Sequence, residues 1–290
     1  MPLVGTGELV ARARAAGTGI AAFNVITLEH VEAVVAGAEA AGVPVILQVS
    51  ENAVKYHGGR LAPLAHAAVA EARAGAVPAA LHLDHVKSEE LLRQAADAGF
   101  GSVMFDGAHL PYEDNLAATR AATRWAHAHG LWIEAELGEV GGKDGAPPLD
   151  AHAPGARTDP AEARAFVSAS GVDGLAVAVG SSHAMTSRTA VLDHALLAGL
   201  RASVDVPLVL HGSSGVPDEE LRRAVRGGIT KVNVGTALNI AMTGAVRAVL
   251  DAQPQAVDPR RYLSAGRDEM TRTVTELARL VRVVANAERP

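Results

Sequence analysis

Leu81-His82-Leu83-Asp84-His85 is a short apolar run that ends in ionisable side chains. The same pattern recurs along the chain, in Val103-Met104-Phe105-Asp106, Ile133-Glu134-Ala135-Glu136, Val177-Ala178-Val179-Gly180-Ser181-Ser182-His183, Leu208-Val209-Leu210-His211 and Val232-Asn233-Val234-Gly235-Thr236. Burial of polar groups at strand ends costs free energy unless those groups are paired or bind a metal. A chain that repeats this arrangement at the same end of its strands is therefore expected to build one shared site.

Eight apolar runs of this kind alternate with helical segments. They are rich in Val, Leu and Ile without strict alternation, which indicates strands buried on both faces, as in parallel sheets. The alternation favours a single closed (β/α)8 TIM barrel with an extra C-terminal helix from Pro259. An open doubly wound sheet is the alternative, because the number of strands does not prove closure. The polar groups favour the barrel, since the C-terminal strand ends of such barrels form the active-site face.

The composition fits one domain over residues 1–290, with 49% hydrophobic residues to form a core. A net charge of -6 without a basic block argues against a nucleic-acid partner. The lack of cysteine excludes disulfides, thiolate metal sites and a cysteine nucleophile. Neither a signal peptide nor a membrane-spanning apolar stretch is evident, so we expect a soluble, cytoplasmic protein with no membrane partner.

Three histidines, His85, His183 and His211, follow the third, sixth and seventh predicted strands. Any one of them alone would more commonly be a structural polar group or a phosphate contact. Together at one rim they form a good zinc set that leaves a coordination position open for substrate.

Carboxylates accompany these histidines. Asp84 directly precedes His85 and could be a general acid/base at a substrate hydroxyl, or it could orient a metal-bound histidine. Glu134 and Glu136 share one face of their strand because the side-chain period is two. With Asp106 they could hold a second cation or a displaced zinc, and a hydrogen-bonded structural pair is the alternative.

Small residues follow the seventh and eighth strands, in Gly212-Ser213-Ser214-Gly215 and in Asn233 to Thr236. Backbone N–H groups in such loops can approach an anion, and this is the usual phosphate site of a barrel. In the loop after the sixth strand, Arg188 could reach a second phosphate or carboxylate, although a solvated arginine is an equal alternative.

An imine-forming aldolase would need a lysine inside the barrel. Lys55, Lys87 and Lys143 fall in predicted loops, and Lys231 starts its strand at the wrong face of the barrel, so we expect no Schiff-base chemistry. The long loop 139–157 is rich in Gly and Pro and leaves the fifth strand at the active-site rim, as a lid would.

At these residues the chain resembles the class II, metal-dependent ketose-bisphosphate aldolases that act on fructose or tagatose bisphosphate. The matching segments, in the family's order, are Ala22-Phe23-Asn24, Val49-Ser50-Glu51, His82 to His85, Val103 to Asp106, Glu134 to Gly138, Leu208 to Gly215 and Lys231 to Thr236.

The resemblance implies roles for individual residues. His85, His183 and His211 would bind the catalytic Zn²⁺, Asp84 would be the acid/base, and Asp144 would be the loop carboxylate that removes a carbon proton. The matched substrate-side positions are Asn24, Ser50, Ser214, Asn233 and Thr236, with the backbones of Gly180 and Gly212 near a monovalent cation, Na⁺ or K⁺.

The resemblance also implies the reaction, which is reversible cleavage of a ketose phosphate to dihydroxyacetone phosphate and an aldehyde, in carbohydrate metabolism such as glycolysis. A homodimer or homotetramer is expected. Ala184 stands where the family has glycine, and Lys143-Asp144 departs from the usual lid sequence, which leaves the substrate open. The alternatives are an aldolase for a deoxy-ketogluconate phosphate and a non-catalytic sugar-phosphate-binding barrel.

Overall fold

The computed structural model describes residues 3–138, 140 and 156–282. Its eight strands are all parallel and close into a barrel in sequence order, which confirms the (β/α)8 prediction and excludes the open sheet. The strands are β1 (Ile20–Asn24), β2 (Val45–Ser50), β3 (Ala79–Val86), β4 (Ser102–Phe105), β5 (Trp132–Leu137), β6 (Gly174–Val177), β7 (Leu208–Leu210) and β8 (Ile229–Val234). Most of the predicted lid, including Lys143 and Asp144, lies outside the described residues.

Helices lie before, between and after the strands. They are α1 (Thr6–Ala15), α2 (Leu28–Ala41), α3 (Glu51–Tyr56), α4 (Ala62–Ala74), α5 (Glu89–Leu92), α6 (Tyr112–Ala128), α7 (Pro160–Ser170), α8 (His194–Ser203), α9 (Asp218–Gly227), α10 (Thr236–Ala252) and α11 (Pro259–Val281). The extra helix predicted from Pro259 is α11. Among the described residues, no helix has both the length and the apolar composition needed to cross a bilayer.

Local sequence explains where many helices begin and end. The Asp159 side chain accepts hydrogen bonds from the Ala161 and Glu162 amides at the start of α7, where Pro160 supplies a suitable fixed φ. Gly171 ends the same helix in the left-handed conformation, which costs glycine no steric strain. These signals set where α7 begins and ends.

The long helix α11 packs against α2 at Gly37. A Cβ at Gly37 would lie 2.6 Å from the Cβ of Val274 and 2.8 Å from the backbone oxygen of Thr271. The two helix backbones can therefore approach this closely only because residue 37 lacks a side chain.

We expect Gly37→Ala to destabilise the protein by roughly 1–3 kcal/mol, because overpacking forces the helices apart. The matched control is Gly244→Ala in α10, where an added Cβ meets nothing within 4 Å. That control should stabilise the protein by about 0.5–1 kcal/mol through helix propensity alone. Urea unfolding of both variants measures the difference, and equal stabilities would contradict the proposed close packing.

Candidate active site

A distortion in β3 brings Asp84 and His85 to the same cavity. In a regular strand two successive side chains point to opposite faces. Here the pairing of β3 with β4 shifts register between Leu83 and Val86, and His85 adopts a positive φ of 51°. The bulge thus turns both side chains toward the C-terminal end of the barrel, where both line the cavity.

The cavity has a volume of about 250 Å³ and opens at the C-terminal strand ends. Sequence-predicted residues that line it are Asn24, Ser50, Asp84, His85, Asp106, His183, Gly212, Ser214, Asn233 and Thr236. Glu136 and His211 lie beneath this lining and are fully buried. Gly180 and Arg188 do not line the cavity.

Three imidazoles and one carboxylate converge at the cavity floor. Ligand atoms of His85, His183, His211 and Glu136 all lie within 4.8 Å of one another. The ring centroids of His85 lie 5.0 Å from His183 and 4.7 Å from His211. Zinc binds nitrogen and carboxylate oxygen at about 2.0–2.2 Å, so side chains this close can share one ion after small rotations. The donor set therefore fits a zinc centre.

Two loops are packed so that His183 stays near His211. Gly212 has a positive φ of 65°, and a Cβ there would lie 2.6 Å from the backbone carbonyl of Ser182. The Ser181 hydroxyl donates to the backbone oxygen of His211 at 2.6 Å. Because these contacts involve backbone atoms, they fix the loop after β6 against the end of β7.

Carboxylates behind the rings orient the histidines. The Nδ1 atom of His85 lies 2.9 Å from Oδ2 of Asp106. The two nitrogens of His211 lie 2.8 Å from Glu134 Oε1 and Glu136 Oε2. If Glu134 accepts the Nε2 proton, Nδ1 of His211 is left on the side of Glu136 and can bind a metal. Asp106 and Glu134 thus support the ligand cluster from outside it, as carboxylates behind metal-bound histidines commonly do.

Asp84 is only 2% exposed and is held by the side chain of Asn24, which Gln48 holds in turn. Asn24 Nδ2 donates to Asp84 Oδ2 at 2.9 Å, and Gln48 Nε2 donates to Asn24 Oδ1 at 2.8 Å. Burial raises the pKa of the Asp84 carboxyl, but electrostatic interactions with His85, Lys231 and His211 outweigh burial and lower it. The carboxylate is therefore ionised and rigid at the cavity wall.

The loop after β7 meets the start of α10 at the cavity. The Ser214 hydroxyl accepts a hydrogen bond from the Ala237 amide at 3.1 Å, which ties this loop to the first turn of the helix. The first N–H groups of a helix have no intrahelical partners and favour negative charge. Ser214 and Thr236 both line the cavity at this point.

Comparison with known proteins agrees with this geometry. The sequence model of the family described as fructose-bisphosphate aldolase class-II matches residues 4–286. The chain belongs to the class II fructose-bisphosphate aldolase family.

Solved structures of aldolases resemble this aldolase over nearly its whole length. The YdjI aldolase from Escherichia coli K12 is 30% identical, with a TM-score of 0.83, over 99% of this chain and 100% of that one. A putative fructose-1,6-biphosphate aldolase from Coccidioides immitis is 29% identical, with a TM-score of 0.84, over 98% of each chain. The fructose-bisphosphate aldolase of Campylobacter jejuni is 22% identical and shares the fold, with a TM-score of 0.80 over 98% and 96% of the two chains.

Lys231 of the aldolase lies inside the barrel, which corrects the expectation that it sits at the wrong face. It is fully buried, and its Nζ lies 2.9 Å from Glu134 Oε2 and 2.8 Å from Asn233 Oδ1. The sequence predicted Lys231 at the start of its strand. In the structure it lies within β8, where successive side chains alternate in direction, and its own side chain points into the barrel. Lys231 does not line the cavity. Its ammonium group therefore pairs with Glu134 and is not placed to form an imine with a substrate.

Arg188 is turned away from the cavity. Its guanidinium donates to the backbone oxygen of Val216 at 2.7 and 3.0 Å and lies 2.5 Å from Asp218 Oδ1. A carboxylate at the start of α9 therefore pairs with the guanidinium, for which the sequence left a substrate anion and solvent as equal alternatives. Ala184, where the family has glycine, has a positive φ of 56°.

Burial and pairing shift the pKa values in the barrel. Burial raises the pKa of Glu134, but Lys231 and His211 outweigh it and lower the pKa to about 2. Burial lowers the pKa of His211, but hydrogen bonds to Glu134 and Glu136 outweigh it and raise the pKa to about 9. Without a metal, His211 is thus a cation clamped between two carboxylates.

Several residues that shape the site were not predicted from the sequence. Lys55, Lys87 and Asn239 line the cavity, and Gln48 supports Asn24 from below. Gln48 did carry a signal, because it is a polar residue within the apolar strand β2. The two lysines carried none, since lysine side chains are ordinarily solvated.

We expect Lys231→Met to destabilise the aldolase by roughly 3–5 kcal/mol, because it leaves the buried Glu134 carboxylate without its ammonium partner. The double variant Lys231→Met, Glu134→Gln leaves neither charge unpaired and should recover part of this loss. Chemical denaturation of the three proteins measures both effects. A single variant as stable as the wild type would contradict the role of this ion pair.

Proposed function

We propose that this aldolase is zinc-dependent and cleaves a ketose phosphate, fructose 1,6-bisphosphate or tagatose 1,6-bisphosphate, to dihydroxyacetone phosphate and an aldehyde. The observation that carries the proposal is the cluster of His85, His183, His211 and Glu136 on the cavity floor, next to the ionised Asp84. A zinc ion held by this cluster would act as the Lewis acid at the ketose carbonyl.

Asp84 supplies the proton transfer at the bond that breaks. Its carboxylate accepts the proton of the hydroxyl group on the aldehyde carbon as the carbon–carbon bond cleaves, and it returns that proton in the synthesis direction. Asn24 and Gln48 prevent the carboxylate from rotating away. We propose Asp144, which lies outside the described residues, as the base at the carbon of dihydroxyacetone phosphate.

The first phosphate binds at the start of α10. Ser214, Thr236 and the positive end of the helix dipole would hold it, and Asn233 lines the cavity beside them. The substrate is thereby oriented with its dihydroxyacetone half toward β7 and β8. Its other half extends past Asp84 at the end of β3.

The raised pKa of His211 makes metal binding proton-linked. Below about pH 9 the imidazole must lose a proton before it can bind a metal, so zinc affinity should increase as the pH rises toward 9. Titration calorimetry of the metal-free protein at neutral pH should give a binding enthalpy that depends on the ionisation enthalpy of the buffer. A binding enthalpy that does not depend on the buffer would contradict the loss of a proton from His211 on metal binding. Full activity after removal of the metal by a chelator would contradict the zinc proposal itself.

Asp84→Asn should lower the rate of ketose cleavage by about two to four orders of magnitude, the usual effect of removing a general acid/base. Zinc content and deuterium exchange into dihydroxyacetone phosphate should remain, because the substitution spares the ligand cluster. Measuring the zinc content together with the cleavage rate and the deuterium exchange distinguishes an acid/base role of Asp84 from a role in orienting His85. If zinc is lost together with cleavage, Asp84 orients His85 and is not the acid/base.

A further inference from the structure

A second cavity lies at the opposite end of the barrel from the candidate active site. Its volume is about 300 Å³. Its lining includes Leu208 and Ile229, the first residues of β7 and β8, so the cavity lies at the N-terminal strand ends. The catalytic groups of such barrels lie at the other face. This cavity is therefore separate from the cleavage chemistry.

Three arginines from three different helices line this second cavity. Arg14 lies on α1, Arg201 on α8 and Arg226 on α9. Among the described residues of the lining, Asp205 alone is acidic. The cavity thus carries an excess of positive charge in a protein whose net charge is -6. A cleft lined mainly by one sign of charge attracts ligands of the opposite sign.

Within the described part of the chain, two of these guanidinium groups have no carboxylate partner. Nη1 of Arg14 donates to the backbone oxygen of Asp205, and Nη1 of Arg201 donates to that of Arg226 at 3.4 Å. Arg226, in contrast, lies 3.2 Å from Glu219 Oε1. A guanidinium group has five N–H donors, so one bond to a carbonyl leaves most donors and the whole charge available to a ligand.

The fold holds both of these side chains at the cavity. The stem of Arg201 crosses Gly228, where a Cβ would lie 2.6 Å from Cδ and 3.3 Å from Nε of Arg201. Gly228 has a φ of 122°, which glycine adopts without strain. The bond from Arg14 to Asp205 ties the other guanidinium to the segment before β7. Side chains that are already placed lose less conformational entropy when a ligand binds.

From this geometry we infer that Arg14 and Arg201 form a second anion-binding site, which takes a small dianion of the phosphate class. The planar fork of a guanidinium group matches the spacing of phosphate oxygens. The cavity volume is at the lower end of the range for small-molecule sites, so either free phosphate or a small phosphate ester fits it. The inference does not depend on the proposed function, because no residue of the cleavage site takes part.

The test is titration calorimetry of the metal-loaded enzyme with inorganic phosphate, glycerol 2-phosphate and acetate at constant ionic strength. Arg14→Met and Arg201→Met should each weaken phosphate binding at this cavity by about tenfold to a hundredfold, as expected for loss of a charge-assisted hydrogen bond. Acetate, with a single charge, should bind more weakly than either phosphate. The tighter of the two phosphates identifies the ligand as the free ion or as an ester.

Phosphate can also enter the catalytic cavity, where it would compete with a phosphorylated substrate. Kinetic assays measure that competition separately. The inhibition constant of phosphate should be the same in the wild type, Arg14→Met and Arg201→Met, because the two cavities lie at opposite ends of the barrel. An equal inhibition constant also shows that the variants are folded.

Two further variants test the assignment from opposite directions. Arg120→Met, on an exposed part of α6 outside both cavities, is the matched control and should leave phosphate binding unchanged. Asp205→Asn removes the negative side chain of the lining and should strengthen binding by about twofold to fivefold, as expected for one exposed charge. Phosphate binding that survives unchanged in the double variant of Arg14 and Arg201, or that occurs in the wild type only at the competitive site, would overturn the inference.

Discussion

The site depends on one buried carboxylate, that of Glu134. One of its oxygens pairs with Lys231 at 2.9 Å and the other with Nε2 of His211 at 2.8 Å, and all three residues are fully buried. A charge in an apolar barrel is stable only when its partners are close and well oriented. The positions of β5, β7 and β8 are therefore coupled, because none of these strands can shift without separating charges. The orientation of the His211 ring, and with it the ligand cluster, follows from that coupling.

Strained backbone conformations at two residues are the second constraint on the position of the ligand cluster. A positive φ is unfavourable for residues other than glycine, yet both His85 and Ala184, at or next to a predicted zinc ligand, adopt one. The bulge at His85 places two consecutive ionisable residues in one cavity, which a regular strand cannot do. The surrounding barrel, with its close helix contacts such as that at Gly37, supplies the stability that maintains these conformations.

Sequence reasoning was most successful where periodicity and strand ends carry the information. It predicted the barrel and placed Asp84, His85, His183 and His211 at one rim, because parallel strands bring their carboxyl ends together. It did not place the side chains of Lys231 and Arg188, since the direction of a side chain depends on register and on partners distant in sequence. The short helices α1 and α3 were also missed, because six to ten residues give a weak periodic signal. The cytoplasmic location and the homodimer or homotetramer stay predictions.

The two kinds of functional group occupy parts of the fold with different rigidity. The predicted metal ligands His85 and His211, with Asp84 and Glu136, lie at or next to strand ends, where neighbouring strands and buried ion pairs fix them. Lys55 and Lys87 lie on a short helix and in a loop, joined to each other mainly through Glu51. These segments contribute no residue to the Glu134 ion pairs. The barrel can therefore keep the groups at its strand ends fixed while the segments between strands and helices vary.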